Sequence, residues 1–163
     1  MTLAELRSRG TPIEWFEGVA IARAVYAAAA QLSAGAEPAI PDLSAVQLTD
    51  QGTVSLTETH QPLRGRPVVR AAMLLDSVLS GSLLPGPLRL LVLSSLSASA
   101  PYSSVDELSE ALEYFERPNR RDVLRGVYDR AVQMQAHDDP TLVQVDPEPD
   151  ALARFAPETE SWP

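Results

Sequence analysis

The sequence predicts a mainly α fold, a helical bundle interrupted once by a short β-hairpin. Apolar residues recur at helical spacing through five segments, bounded by Pro, Gly, Ser or Asn. The period changes to strict alternation in one place, "AVQLTDQGTVSLT", residues 45–57. No internal repeat of solenoid length interrupts this order.

The first helix is expected over residues 12–34. Pro12 suits its first turn, Glu14 and Glu17 suit the positive end of its dipole, and Gly35 can close it. Ile13, Trp15, Phe16, Val19, Ile21, Val25, Tyr26 and a run of alanines leave almost no polar face, so the helix is central. In the hairpin, Val46, Leu48, Val54 and Leu56 alternate onto one face. Gly52 in "TDQG" can take the left-handed conformation of the turn. So short a hairpin has to lie against helices.

Four more helices are expected, over 67–80, 88–97, 104–116 and 119–134. Pro67 and Gly81 bracket the first of them. Ser104 and Glu107 stand at capping-box spacing, and Asn119 can cap the last helix. From His137 the composition shifts, with five prolines and seven acids in 27 residues. The expected division is therefore a helical domain over 1–136 and an acidic, Pro-rich tail over 137–163, extended or partly disordered. The tail's apolar residues Leu142, Val143, Val145, Phe155 and Trp162 have no evident core of their own. They are the candidate partner-binding residues, docking either in cis or on another chain.

Composition excludes several chemistries. There is no cysteine, hence no disulfide framework, thiolate metal site or cysteine nucleophile. All thirteen basic residues are arginine, as in a GC-rich, bacterial-type composition, so no Schiff-base or phosphate-binding lysine exists. The net charge is −9, most of it in the tail. The arginines of "RPNRRDVLRGVYDR" alternate with Asp122 and Asp129, as on a solvated helix face, and no nucleic-acid binding is expected. Residues 1–11 lack the features of a signal peptide, and no apolar run reaches membrane-spanning length. The expected location is cytoplasmic.

Three segments resemble the C-terminal lobe of the protein kinase fold. "DLSAVQLTDQGTVSLTE" resembles the catalytic loop and the hairpin that ends in the D-F-G metal motif. "AAMLLDSVLSGSLLP" resembles the helix that follows, and "LRLLVLSSLSASAPYSSVDELSEALEYF" the closing helices. The resemblance covers residues 12–130 and lies in order and spacing more than in identity. It keeps core positions and loses chemical ones. The metal-binding Asn falls at Ala45, and Asp42 stands three residues before it where a catalytic Asp stands five before. D-F-G falls at Glu58-Thr59-His60, the Asp opening the next helix falls at Pro67, and the buried Arg before the final helix is missing, with Pro101 nearby. No Gly-rich loop precedes the long helix. Such losses imply no phosphoryl transfer and no nucleotide binding.

Other chemistry is no better supported. His60 and His137 show no metal-ligand spacing. A triad of Ser95, His60 and Asp76 lacks a G-x-S-x-G elbow. Glu14 and Glu17 serve the helix dipole better than they serve as an acid–base pair. The sequence therefore implies no enzyme, no cofactor, no metal and no catalytic residue. Its expected function is a non-catalytic protein-binding or scaffold module of a regulatory complex, with a protein partner or a second copy as ligand. The alternative is a structural subunit of a larger assembly.

Overall fold

Thr2 and Glu5 cap each other at the start of the chain. The Thr2 hydroxyl accepts from the Glu5 N–H at 3.1 Å, and the Glu5 carboxylate accepts from the Thr2 N–H at 2.7 Å. This reciprocal pair opens α1, Leu3–Ser8. The computed structural model describes residues 1–33, 37–57, 65–97 and 101–138. Helix α1 is not among the expected elements, because its two buried leucines, Leu3 and Leu6, are too few to show a period.

Helix α2, Trp15–Leu32, is the central element. It starts three residues later than expected, where Glu17 accepts from the Glu14 N–H at 2.8 Å and fixes the first turn. Its apolar circumference is covered on separate sides. Helix α3 (Pro67–Leu79), α5 (Val105–Glu113), α6 (Arg120–Asp138) and the second hairpin strand all pack on it. Gly18 lets α3 come close, since a side chain there would press on Leu79. Deeper in the contact the Tyr26 hydroxyl donates to the Ala71 carbonyl at 2.6 Å.

A 3-10 turn over Leu43–Ala45 leads into β1, Val46–Leu48, which pairs antiparallel with β2, Val54–Leu56. Val46 faces Leu56 and Leu48 faces Val54. These four residues share one face as expected: the β1 pair is buried, and the β2 pair is half-buried against the core. Gly52 takes φ +69° and donates to the Thr49 carbonyl at 3.1 Å. The open edge of β1 is covered by the chain's first residues, with a bridge from Thr2 to Gln47 and a bond from the Leu48 N–H to the Met1 carbonyl.

The remaining helices follow their apolar stripes. Val68, Ala71, Ala72, Leu75, Val78 and Leu79 of α3 are all buried, and Gly81 just beyond has φ +93°. Helix α4 spans Gly86–Ser95 and packs on α3. At the start of α5 the Ser104 hydroxyl accepts from the Glu107 N–H as expected. The Glu107 carboxylate, however, reaches one residue further back, to the N–H and hydroxyl of Ser103. Helix α5 ends at Glu113, short of the expected 116. Asn119 precedes α6 at φ +63°, and its carbonyl accepts the first bonds, from Asp122 and Val123. Helix α6 continues to Asp138, past the expected end at 134 and into the first residues read as tail. No helix breaker stands between Met134 and Pro140, so the shift in composition at His137 does not stop the backbone.

The buried residues of all six helices and the hairpin form one hydrophobic cluster. The fold is mainly α with one two-stranded hairpin. Among the described residues no helix is long and apolar enough to cross a membrane.

Candidate functional site

The turn before the hairpin holds Asp42 and Ala45, the positions singled out by the sequence resemblance. Ala45 is buried there, and its N–H donates to the Asp42 carbonyl at 3.0 Å. The Asp42 carboxylate points outward and pairs with Arg70 at 3.5 Å. Glu58, Thr59 and His60 lie outside the described residues. Ser95 is buried in α4 and donates its hydroxyl to the Leu91 carbonyl of its own helix at 2.7 Å, while Asp76 is exposed on α3. Among the described residues no cluster of His, Asp and Glu is arranged to hold a metal ion.

Glu14 and Glu17 do not form a carboxylate pair. Glu17 is buried, and besides fixing the first turn of α2 it accepts from Arg130 of α6 at 2.7 Å. Arg130 also donates to the Pro12 carbonyl at 3.0 Å, tying α6 to the entry of α2. A second cluster forms where α5 meets α6. Glu116 accepts from Arg23 and from Arg120, and Arg23 also reaches Glu113 at 3.2 Å and the Ser109 hydroxyl. Burial pushes the Glu116 carboxyl up, but hydrogen bonding and charge from Arg120, then Arg23, outweigh it and hold it below the usual carboxylate range. Arg117 lies over the Phe16 ring, 3.6 Å from its centroid. Of the arginines in "RPNRRDVLRGVYDR", Arg130 thus ties α6 to α2, Arg117 covers Phe16 of α2, and Arg120 braces Glu116. Arg23–Glu116 and Glu17–Arg130 join residues 93 and 113 positions apart, which no local spacing in the sequence reveals.

Helix α4 is different. Leu88, Val92 and Ser95 are buried against the rest of the fold. Leu90 and Leu93 point the other way and are 69% and 58% exposed, with Pro87 also exposed one turn before Leu90. The sequence "LRLLVLSSLS" puts apolar side chains all round the helix, and only one side of it is covered. Leu90 and Leu93 are neighbours at helical spacing, so they form one apolar strip. Tyr114 is 87% exposed at the end of α5, with its ring edge-on to Phe115.

The partner-binding residues expected from the sequence, Leu142, Val143, Val145, Phe155 and Trp162, lie outside the described residues. The α4 strip is a candidate that the sequence reading did not single out, since an apolar pattern all round a helix does not show which side is left open. Compared with family models, with curated proteins and with solved structures, the chain finds no match in any of the three.

Proposed function

We propose that this chain is a non-catalytic protein-binding module of a regulatory complex, built in the order of a kinase C-terminal lobe without its catalytic parts. The observation that carries the binding function is the uncovered apolar strip of α4. Leu90 and Leu93 stay mostly exposed in the fold, and burying the rest of each against a partner contributes up to about 1.5–3 kcal/mol. Apolar side chains grouped on one helix face, beside polar Arg89 and Ser94, are the ordinary basis of a helix-mediated protein contact. The order of elements from α2 through the hairpin to α3–α6 supports the kinase-lobe part of the reading, as does Ala45 where a metal-binding Asn would stand. Arginines engaged with acids and with the Phe16 ring support a protein partner over a nucleic acid.

The test is recovery of the tagged full chain from its native cells, as wild type and as the Leu90→Glu/Leu93→Glu variant. A stoichiometric partner retained by the wild type and lost by the variant, with unchanged helical circular dichroism, is the expected result. Equal recovery with both chains contradicts the assignment of the strip. Regulatory proteins among the recovered partners favour this reading, and a single fixed assembly favours a structural subunit.

A further inference from the structure

A groove of about 440 Å³ runs between the α1–α2 connection and the end of α3. Leu3, Ile13, Leu43, Val78 and Leu83 supply its apolar lining, and Arg7 stands in its wall. Leu83 is 95% exposed at the groove, so a large apolar side chain faces it without cover. The Thr11 hydroxyl, in a residue only 6% exposed, has no hydrogen-bond partner. Buried hydroxyls normally have one.

The chain's own course identifies the occupant. Residues Gly10–Pro12 form one wall, and Pro12 and the neighbouring Arg9 are bonded to α6. Arg9 donates to the Gln135 side chain at 2.8 Å, and Arg130 to the Pro12 carbonyl at 3.0 Å. Helix α6 therefore ends at Asp138 close to the groove. Leu142, Val143 and Val145 follow four to seven residues later, within about 13–23 Å of extended chain. Asp139 and Asp146 flank them, and Arg7 stands in the groove wall. The α4 strip, by contrast, belongs to a helix whose main packing is on α3.

We propose that residues 140–146, "PTLVQVD", seat in this groove in cis, with Leu142, Val143 or Val145 against Leu83 and Ile13. The tail then caps the groove of its own domain and leaves the α4 strip free for a partner. This inference stands apart from the α4 assignment and survives its failure.

The absence of cysteine gives a clean test in the full chain. The pair Leu83→Cys/Val143→Cys is exposed to oxidised glutathione, and intramolecular disulfide is followed by mobility and mass. A bond forms only if the Cα atoms come within about 7 Å, so its rate reports occupancy of the groove. The expected rate is at least tenfold above that of the same pair carrying Leu142→Asp and Val145→Asp. Ser80→Cys with Val143→Cys, on the same side of the groove, covers a shifted register. Equal rates with and without the aspartates in both pairs overturn the proposal, since tethering alone then explains the bond. Predominant disulfide-linked dimers also overturn it, by showing that the groove takes the tail of a second copy.

Discussion

Gly52 clamps the hairpin turn to the last helix. Its φ of +69° favours glycine, and a Cβ there would collide with the Arg121 carbonyl oxygen. Gly52→Ala therefore pays both backbone strain and displacement of the first turn of α6. The expected cost is at least about 2 kcal/mol, a fall in Tm of roughly 4–8 °C for a chain of this size. Calorimetry on the variant checks it, and an unchanged Tm contradicts the clamp. Glu116 is the second such residue. Its carboxyl is held low in the folded state, so its contribution is present above the unfolded carboxylate value and is lost as pH falls through the folded one. Glu116→Gln is expected to cost about 1.5–3 kcal/mol near pH 7, the range for hydrogen bonds to charged groups. The difference from wild type should narrow as pH drops below about 4.3. Urea titrations at a series of pH values measure it; a gap independent of pH contradicts the role given to the Arg23–Glu116–Arg120 cluster.

Among the elements, α4 concentrates the contrast between core and open surface. Leu88 and Leu90 are two residues apart, one buried and one exposed. Leu88→Ala is expected to cost about 2–5 kcal/mol, and Leu90→Ala to stay within about 0.5 kcal/mol in the isolated chain. Denaturant midpoints of the two variants decide this, and equal losses would mean that the outer face of α4 is covered. The sequence reading located five of the six helices and the hairpin, because their apolar stripes and bounding Pro, Gly and Ser residues act locally. It missed α1, whose six residues are shorter than a readable period, although Thr2 and Glu5 carry the same capping signature as Ser104 and Glu107. It ended α6 early because composition changes at His137 while the backbone meets no obstacle before Pro140. The ion pairs Glu17–Arg130 and Arg23–Glu116 were illegible for a different reason: each depends on which helices meet, a property of the whole bundle. The same holds for α4, where an all-round apolar pattern cannot say which side is left open.

At the scale of the whole molecule, the proposed reading combines a kinase-like order of elements with a missing phosphate site. Lysine is absent, and on that reading Ala45 and Glu58-Thr59-His60 stand at the metal-binding positions. Losing these together leaves phosphate charge without donors or metal ligands. A ligand at a hundred times its Kd stabilises a fold by roughly 2.7 kcal/mol, which would move Tm by several degrees. No shift is expected with millimolar ATP and Mg²⁺ beyond that of matched ionic strength, and a Mg²⁺-dependent rise abolished by Glu58→Ala would reopen the case for an enzyme. The central claim remains that the chain works by binding protein through α4. It is tested most directly by placing a photoreactive amino acid at Leu90 in the full chain and irradiating the native cells. A control label goes at Arg125, exposed on α6. The account predicts a discrete protein adduct from position 90, lost on Leu93→Glu, and none from position 125. Adducts that are absent from both positions, or equal at both, would contradict it.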